Sequence, residues 1–371
     1  MFRKFMYLGI IMVLFLAACQ NGTESGTAEP TASPEVAADP EPEADPEPEA
    51  DPEAEEVTGE GDLVIYSGRS ESLVGPIIER FTAESGINVE VRYGGTGELA
   101  ATLLEEGQNS PADLFYAQDP GGIGAVAEAG LLAPLSQDIL GKVPPRFQSP
   151  DGNWVGISGR ARVAVYNTET LSEADLPADI SGFTDPEWDG RIGWAPTNGS
   201  FQAMVTGMRA VWGEEQTAEW LSGIQANDPV AYENNTAVVA AVGAGEVEVG
   251  FVNHYYLYRF ITEEGESFPA RNYFFPSGGP ESLIMVSGAG ILNTAPNAEN
   301  AQLFLEFLLS QEAQQYFADE TYEYPVIEGV ATHPLLPPLA DLDAVAVDIP
   351  LANLADLQGT AELLSEVGVL P

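Results

Sequence analysis

The sequence predicts an α/β protein built from two β/α lobes that face each other across a hinged cleft. Buried strands and amphipathic helices alternate from residue 62 onward, a pattern typical of parallel sheets with right-handed crossovers. One long strand pattern over residues 154–167 separates two such series, and an apolar strand over residues 282–292 returns after the second. The chain is therefore predicted to cross between the lobes near Arg160 and to return near Ser287.

The first lobe is predicted to contain three short strands and two helices. The strands cover residues 63–66, 88–92 and 112–117, and the helices cover residues 71–85 and the segment from the 94–97 glycine turn through residue 106. Because the carboxyl ends of parallel strands meet at one edge of a sheet, the loops after these strands should line one cleft. Gln118 and Asp119 would add oxygen donors at that cleft edge.

The second lobe repeats the alternation of strands and helices. Residues 190–194 open this unit, and the pattern predicts helices over residues 201–212, 215–226 and 236–245 and a strand followed by a helix over residues 247–260. After the returning strand, one long helix is predicted over residues 297–320, with Leu303, Phe304, Phe307 and Leu308 at core spacing.

Tyr255 and Tyr256 lie at the predicted strand-to-helix turn within residues 247–260. Open α/β sheets bind their ligands at such turns, so the two phenol oxygens could face one cleft. A phenolate oxygen is a hard donor that suits a hard trivalent cation such as Fe(III). The alternative is aromatic packing with satisfied hydroxyl groups, the more frequent role of a buried tyrosine. His254 could be a nitrogen ligand or a packing residue, and His333 is predicted to lie in a loop.

Asn198, Gly199 and Ser200 form a second candidate feature, a turn that leads directly into a helix. Free backbone N–H groups and the positive end of the helix dipole favour an anion there, and glycine allows its close approach. A helix cap explains the same residues without a ligand. Arg160 and Arg162 could fork onto a carboxylate, carbonate or phosphate, or they could form structural ion pairs in a very acidic protein.

The composition narrows the class of function. The formal net charge is −45, from 58 acidic and 13 basic residues, and a surface of this sign repels nucleic acid and anionic lipid. With two histidines and one cysteine the sequence contains no zinc-type cluster, and it shows no dinucleotide-binding or Walker loop. It also shows no nucleophile and base of the hydrolase type, so an enzyme or a sensor module is the weaker hypothesis.

The N-terminus has the features of a targeting segment. Arg3 and Lys4 precede a short apolar run, and residues 16–19 read Leu-Ala-Ala-Cys, which resembles the lipobox of bacterial lipoprotein signal peptides. Residues 1–19 are therefore predicted to be a signal peptide with Cys19 as the lipidated residue; a plain secretory signal or an anchor helix is the alternative. Residues 20–61, rich in Pro and Glu, are predicted to be a disordered acidic tether, with calcium capture as the alternative.

Several short motifs carry a resemblance that covers nearly all of the chain after residue 61. They include Val-Ile-Tyr-Ser-Gly at 64–68, Pro-Ala-Asp-Leu-Phe-Tyr at 111–116, Ser-Gly-Arg-Ala-Arg-Val at 158–163, Thr-Asn-Gly-Ser-Phe at 197–201, Asn-His-Tyr-Tyr at 253–256 and Glu-Tyr-Pro at 323–325. In these motifs the chain resembles the ferric-iron-binding proteins of bacterial ABC transporters. The resemblance implies a two-lobed type II periplasmic-binding-protein fold with a transferrin-like iron site.

The same resemblance implies roles for individual residues. Tyr255 and Tyr256 would be phenolate ligands of Fe(III). A synergistic anion, carbonate or phosphate, would bind at Asn198, Gly199, Ser200, Asn235 and Asn253, with Arg160 or Arg162 as the matching arginine in carbonate-binding members.

Three positions depart from the family pattern. Ser70, Gln118 and Phe201 stand where members of its branches have a histidine, a glutamate and a third tyrosine. The missing donors could come from Gln118, Asp119, Ser70 or Glu71, or from a bidentate anion and water. A third possibility is that the ligand is an iron chelate such as ferric citrate.

The predicted function is the extracytoplasmic substrate-binding component of an ABC transporter for ferric iron, which docks on a permease. The alternative keeps the fold but binds an oxyanion, a small phosphonate or another organic anion. The solute-binding domain would cover residues 62–371, with residues 62–160 and 287–371 in lobe 1 and residues 161–286 in lobe 2. The protein is predicted to be a monomer, lipid-anchored to the outer face of the cell membrane, with no nucleic-acid partner.

Overall fold

The computed structural model of the chain describes residues 62–347 and 349–370. The predicted signal peptide with Cys19 and the predicted tether lie outside these residues. Within the described part of the chain, no helix combines the length and the apolar character that crossing a membrane requires.

The described residues form ten strands in one continuous sheet, with helices on its faces. The strands are β1 (Leu63–Ser67), β2 (Val89–Tyr93), β3 (Leu114–Ala117), β4 (Val155–Asn167), β5 (Ile192–Trp194), β6 (Val230–Ala231), β7 (Val249–Asn253), β8 (Ala270–Tyr273), β9 (Ile284–Ile291) and β10 (Tyr324–Pro325). The helices are α1 (Glu71–Ser85), α2 (Thr96–Glu106), α3 (Pro120–Glu128), α4 (Gln137–Leu140), α5 (Gly199–Trp212), α6 (Glu214–Ala226), α7 (Asn235–Ala244), α8 (Tyr255–Glu264), α9 (Ala298–Leu308), α10 (Gln311–Glu320), α11 (Leu339–Asp343) and α12 (Leu357–Glu366).

Strands β1, β2 and β3 form the parallel sheet that the sequence predicts for the first lobe. β1 lies in the middle and pairs in parallel with both β2 and β3, so the loops after all three strands open on the same edge. β1 and β3 are buried at every residue, which explains their continuous apolar sequences. Helix α1 buries one face, formed by Leu73, Val74, Ile77, Ile78 and Phe81.

Strand β4, which is 13 residues long, changes its partners along its length. From Val155 to Ala161 it pairs antiparallel with β9, and β9 in turn pairs antiparallel with β3. From Arg162 onward it pairs antiparallel with β7, and its last residues also pair with β8. β5 then joins β7 to β6 in parallel. One strand therefore runs through the sheets of both lobes, and its change of partner falls next to Arg160.

One predicted helix is wrong. In place of a single helix over residues 297–320, the chain forms α9 and α10, which are separated at Leu309 and Ser310. The Ser310 hydroxyl accepts a hydrogen bond from the backbone N–H of Ala313, so it caps a new helix at that point. Leu303, expected in the core, is 49% exposed, whereas Phe304 and Leu308 are fully buried.

The C-terminal segment, which the sequence left without predicted elements, lies against helices of both lobes. Helix α12 packs against α5 and α6. The 3₁₀ turn before it, Leu351–Leu354, packs against α3 and α5. The sequence-based division placed all of residues 287–371 in the first lobe, and the structure brings α12 against second-lobe helices. The lobe boundaries stay a prediction.

Candidate functional site

Tyr255 and Tyr256 begin helix α8 after strand β7, as the sequence predicts. β7 ends at Asn253, and His254 alone connects it to the helix. The Tyr255 side chain is fully buried, and the Tyr256 side chain is partly open to a cleft. Their ring centroids lie 4.4 Å apart, with 31° between the ring planes. The strand-to-helix turn thus holds two phenol groups side by side.

A cavity of about 410 Å³ adjoins the tyrosine pair and is lined by loops of both lobes. From the first lobe it is lined by Ser70, Gly95, Gly97, Gln118 and Asp119, and from the second by Asn198, Gly199, Ser200 and Tyr256. The loops that were predicted to share a cleft therefore do meet. Glu71, the remaining first-lobe candidate, is exposed and does not line this cavity.

The phenol of Tyr256 is held in its neutral form. Burial raises its pKa well above the usual value, and the neighbouring Tyr255 raises the pKa further. The guanidinium groups of Arg69 and Arg160 oppose this shift. A cation that binds the Tyr256 oxygen at neutral pH must therefore displace a proton.

The Tyr255 phenol oxygen is reached by amide groups from both lobes. The Gln118 amide Nε2 donates to it at 3.0 Å from the first lobe. The Asn253 amide Nδ2 lies 3.5 Å away on the second lobe. Since the Gln118 contact spans the cleft, it ties the two lobes together at a candidate ligand atom.

Four of the predicted anion-binding residues, Asn198, Ser200, Asn235 and Asn253, form one hydrogen-bonded network. The Asn198 side-chain oxygen caps α5 by accepting from the Ser200 backbone N–H at 3.0 Å, and it also accepts from the Asn235 amide at 2.9 Å. The Asn235 oxygen accepts from the Asn253 backbone N–H at 3.1 Å. The Asn253 amide donates to the Ser200 hydroxyl oxygen at 3.1 Å, so the Ser200 hydrogen is left to donate elsewhere.

Arg162 stabilises this network by donating hydrogen bonds to two of its asparagines. Its guanidinium donates to the side-chain oxygens of Asn235 and Asn253, both at 3.1 Å, and to the Phe251 carbonyl at 2.7 Å. Burial lowers the pKa of Arg162 to about 9, and the nearby Arg160 charge contributes to the shift. Its hydrogen bonds fix the orientation of two asparagine amides, which is neither of the roles that the sequence left open.

Arg160 is in a different situation two residues earlier on β4. Its side chain is fully buried, yet none of its three guanidinium nitrogens has a hydrogen-bond partner among the described residues. Burial lowers the pKa of Arg160, while the nearby Tyr255 and Asp119 favour its charged form. A buried cation whose donors are all free is costly, so this position is suited to an anionic ligand.

Asp119 of the first lobe and Phe201 of the second are both buried, but only Asp119 lines the cavity. Asp119 is buried, and its Oδ1 accepts from the Gly122 backbone N–H at 3.1 Å, which caps α3. Its Oδ2 lies 3.7 Å from the position that a Cβ would take on Gly199 across the cleft. Burial raises the pKa of Asp119, and Arg160 opposes the shift. Phe201 is buried edge-on against Trp194, so it belongs to the core.

The two histidines are structural. His254 Nδ1 accepts from the Ala161 backbone N–H at 3.2 Å, so Nε2 carries the hydrogen that it donates to the Tyr322 carbonyl at 2.7 Å. Burial lowers the pKa of His254 to about 4. The ring is thus a neutral packing residue, and His333 lies in a loop as predicted.

Arg69 and Glu323 are site residues that the sequence analysis missed. Both are buried, and they form an ion pair at 2.5 Å. Arg69 also donates to the Gln118 side-chain oxygen at 2.8 Å. The sequence did offer one indication of Arg69: it is a basic residue within the predicted cleft loop 67–70, in a chain that contains few basic residues.

Phenols are the distinctive donors of this cleft. Among residues 62–347 and 349–370, no group of three or more His, Cys, Asp or Glu side chains is arranged to hold a metal ion. A metal at this site would therefore depend on the tyrosine oxygens and on an anion.

The chain is similar to a known protein family over most of its folded part. The family model described as "Bacterial extracellular solute-binding protein" matches residues 76–342. The Fe(3+)-binding periplasmic protein of Serratia marcescens is 35% identical over 319 residues, which cover 85% of this chain and 93% of that protein. Iron uptake protein A1 of Synechocystis is 36% identical over 279 residues, covering 72% of this chain and 77% of that protein.

Solved structures give the same picture. Iron-bound HitA from Pseudomonas aeruginosa superposes with a TM-score of 0.79 at 36% identity, covering 82% of this chain and 99% of that one. A Trichodesmium protein in complex with iron and citrate superposes with a TM-score of 0.69 at 29% identity, covering 82% and 99% of the two chains. The two-lobed fold predicted from the sequence is thereby confirmed.

Proposed function

The chain belongs to the bacterial extracellular solute-binding protein family, and we propose that it captures ferric iron outside the cytoplasm and delivers it to an ABC permease. The iron-binding and iron-uptake relatives in Serratia and Synechocystis support this substrate. The observation that carries the proposal is the adjacent phenol pair, Tyr255 and Tyr256, beside the buried Arg160 with its free donors. Hard anionic oxygens bind Fe(III), and a cationic pocket holds the anion that completes the site.

In this proposal Tyr255 and Tyr256 bind Fe(III) as phenolates. Each must lose its proton on binding, and the raised pKa of Tyr256 makes that loss costly at low pH. Iron affinity should therefore fall as the pH falls. Lobe closure brings first-lobe groups to the metal, in keeping with the cavity that both lobes line.

In this proposal two sets of free donors serve the synergistic anion. Arg160 offers its unpartnered guanidinium, and the Asn198, Gly199 and Ser200 turn offers the N-terminus of α5. Carbonate or phosphate suits these donors. A chelating polycarboxylate is the larger alternative, supported by the citrate in the Trichodesmium structure and by the volume of the cavity. Asn235, Asn253 and Arg162 hold this turn in place through their hydrogen bonds.

The first lobe supplies less of the coordination shell. Asp119 is the best placed of its candidates, because Oδ2 faces the second-lobe turn while Oδ1 caps α3. Ser70 lines the cavity and could reach the ligand directly or through water. Glu71 is the weakest candidate because it is exposed outside the cavity.

Location and partners follow from the family and the N-terminal sequence. We propose a monomer attached through a lipid on Cys19 to the outer face of the cell membrane, with the permease as its protein partner. The protein acts by binding and release, so we propose no enzymatic activity.

A visible absorption titration of the folded domain with ferric citrate, with and without added carbonate or phosphate, tests this function. A phenolate-to-iron charge-transfer band should appear, and the anion that strengthens it identifies the synergistic partner. Tyr255→Phe should weaken or abolish the band because it removes one phenolate ligand. Tyr258→Phe is the matched control on the same helix, since the Tyr258 hydroxyl bonds to the Leu335 carbonyl instead.

Two outcomes would contradict the proposal. The first is a Tyr255→Phe variant with unchanged iron affinity and an unchanged band. The second is a wild-type domain with no visible band but tight binding of phosphate or a small phosphonate. That result would assign the cleft to an oxyanion, with Arg160 and the α5 turn as its site.

A further inference from the structure

A series of hydrogen-bonded side chains connects Glu323 to the Tyr255 phenol oxygen. Arg69 pairs with Glu323 at 2.5 Å and donates to the Gln118 oxygen at 2.8 Å. The Gln118 nitrogen then donates to the Tyr255 oxygen at 3.0 Å. Arg69, Glu323 and Tyr255 are at most 1% exposed, and Gln118, which links them, is half-buried at the wall of the cavity.

The chemistry of arginine fixes the direction of the Gln118 amide. A guanidinium has only donors, so the Gln118 group that faces Arg69 must be the carbonyl oxygen. The NH₂ end is therefore turned toward Tyr255. An NH₂ group offers hydrogens and no lone pair to a cation, so Gln118 in this orientation cannot bind a metal.

The rest of the pocket keeps both Gln118 and Arg69 in place. The Gln118 backbone N–H donates to the Thr96 hydroxyl oxygen at 3.0 Å. Glu323 accepts from the hydroxyls of Ser158 and Thr321, each at 3.0 Å, in addition to Arg69. Burial is the largest single influence and disfavours the Arg69 charge, but the Glu323 carboxylate and the nearby tyrosines together outweigh it, so the pKa of Arg69 is raised. The amide is thus held by a stable buried ion pair.

We propose that Gln118 is a positioning residue, which donates a hydrogen bond from the first lobe to the Tyr255 phenolate oxygen when iron is bound. This inference rests on the proposed function. The bond closes the cleft over a ligand atom, and it stabilises negative charge on that oxygen. Gln118 thereby contributes to iron binding through the Tyr255 phenolate and does not bind the metal itself. The anion or chelate then supplies the metal ligand that is missing at this position.

The experiment compares the iron charge-transfer band and the iron affinity of the wild-type domain with those of Gln118→Met. Methionine has a similar length but no donor. Loss of a donor raises the energy of the phenolate electrons, so the band should move to longer wavelength. Because hydrogen bonds to charged groups are strong, iron binding should weaken roughly tenfold to a hundredfold. Gln118→Asn, whose shorter amide cannot reach Tyr255, should shift the band in the same direction and is available if the methionine variant misfolds.

Gln148→Met is the control for loss of a part-buried amide. Gln148 donates to the carbonyls of Leu140 and Val143, away from the cleft, and its substitution should leave the band in place. Gln118→Glu supplies a carboxylate that accepts from Arg69 but cannot donate to Tyr255 when it is ionised. The band of this variant should therefore differ from the wild-type band.

The inference is overturned if Gln118→Met keeps both the wild-type band position and the wild-type affinity. It is also overturned if Gln118→Glu has the wild-type band, because a side chain that cannot donate a hydrogen bond would then give the same band as the amide. A wild-type domain without any band would instead contradict the proposed function itself, so the two failures can be told apart.

Discussion

At the scale of single residues, Glu281 predicts how stability depends on pH. This carboxyl group is fully buried in the 3₁₀ turn before β9. Its Oε1 accepts from the Ser277 hydroxyl at 2.9 Å, while Oε2 has no hydrogen-bond partner within the described residues. Burial raises the pKa of Glu281, and the Asp179 charge contributes. The folded state therefore prefers the protonated acid.

The sign of the effect follows from that preference. As the pH rises through the ordinary glutamate range, the unfolded chain loses this proton while the folded chain retains it. Deprotonation therefore favours the unfolded state, and the free energy of unfolding decreases. Glutamine cannot ionise, so Glu281→Gln should remove this loss of stability. The change that the substitution causes in the free energy of unfolding should be more favourable at pH 7 than near pH 4, by about 1 kcal/mol. Urea unfolding across this pH range measures the difference. The exposed Glu263→Gln variant is the control, and equal pH profiles for the Glu281→Gln variant and the wild type would show that the buried charge carries no cost.

Arg160 and Arg162 show where residue-level prediction from the sequence stops. Both were predicted either to bind an anion or to form structural ion pairs, and both are buried. The sequence could not say that Arg162 uses its donors on Asn235, Asn253 and the Phe251 carbonyl while Arg160 uses none. That distinction depends on the partners that β7 and α7 bring to one side of β4. The Gln118 orientation was hidden for the same reason, because Glu323 is distant in sequence.

At the scale of elements, hydrophobic periodicity predicted the strands and helices that line the cleft. Helix α1 has the predicted bounds, and the turn that presents Tyr255 and Tyr256 is where the pattern placed it. The pattern missed the break between α9 and α10, because Ser310 interrupts an otherwise continuous apolar spacing with a single cap. It also left out α12, whose role depends on contacts with α5 and α6 and not on its own sequence.

The 3₁₀ turn Leu351–Leu354 leads to a prediction about the C-terminal segment. Leu354 is fully buried between α3 and α5, and its carbonyl oxygen lies 2.9 Å from the position that a Cβ would take on Gly121. Its side chain reaches toward Gly207 of α5. Leu354→Ala should leave a cavity between two helices that begin at the candidate site, and should destabilise the domain by about 2–5 kcal/mol.

Chemical denaturation of the iron-free domain measures this effect. Leu303→Ala is the matched control, because Leu303 is 49% exposed and its truncation should change stability by less than about 0.5 kcal/mol. If both variants had the same midpoint, the C-terminal segment would contribute little to holding α3 and α5 together.

At the scale of the whole molecule, the two-lobed fold was predictable because β4 is a long strand between two β/α series. The charge of the molecule is a second global property. The formal net charge is −45, and Arg69, Arg160 and Arg162 are buried near the cleft. Arg146, Arg191, Arg209 and Arg271 already pair with acidic side chains. Few basic groups therefore remain to balance the acidic surface.

This imbalance predicts that salt stabilises the folded protein. Like charges on a compact domain repel one another, and unfolding moves them apart, so screening should favour the folded state. Raising NaCl from about 10 mM to about 300 mM shortens the screening length to below roughly 10 Å and should raise the melting temperature of the iron-free domain. NaCl and Na₂SO₄ at equal ionic strength should act alike if screening is the cause, whereas sulfate should act more strongly if exclusion from the surface dominates. A melting temperature that stays constant or falls with NaCl would mean that local ion pairs, which salt weakens, outweigh the repulsion of the whole surface.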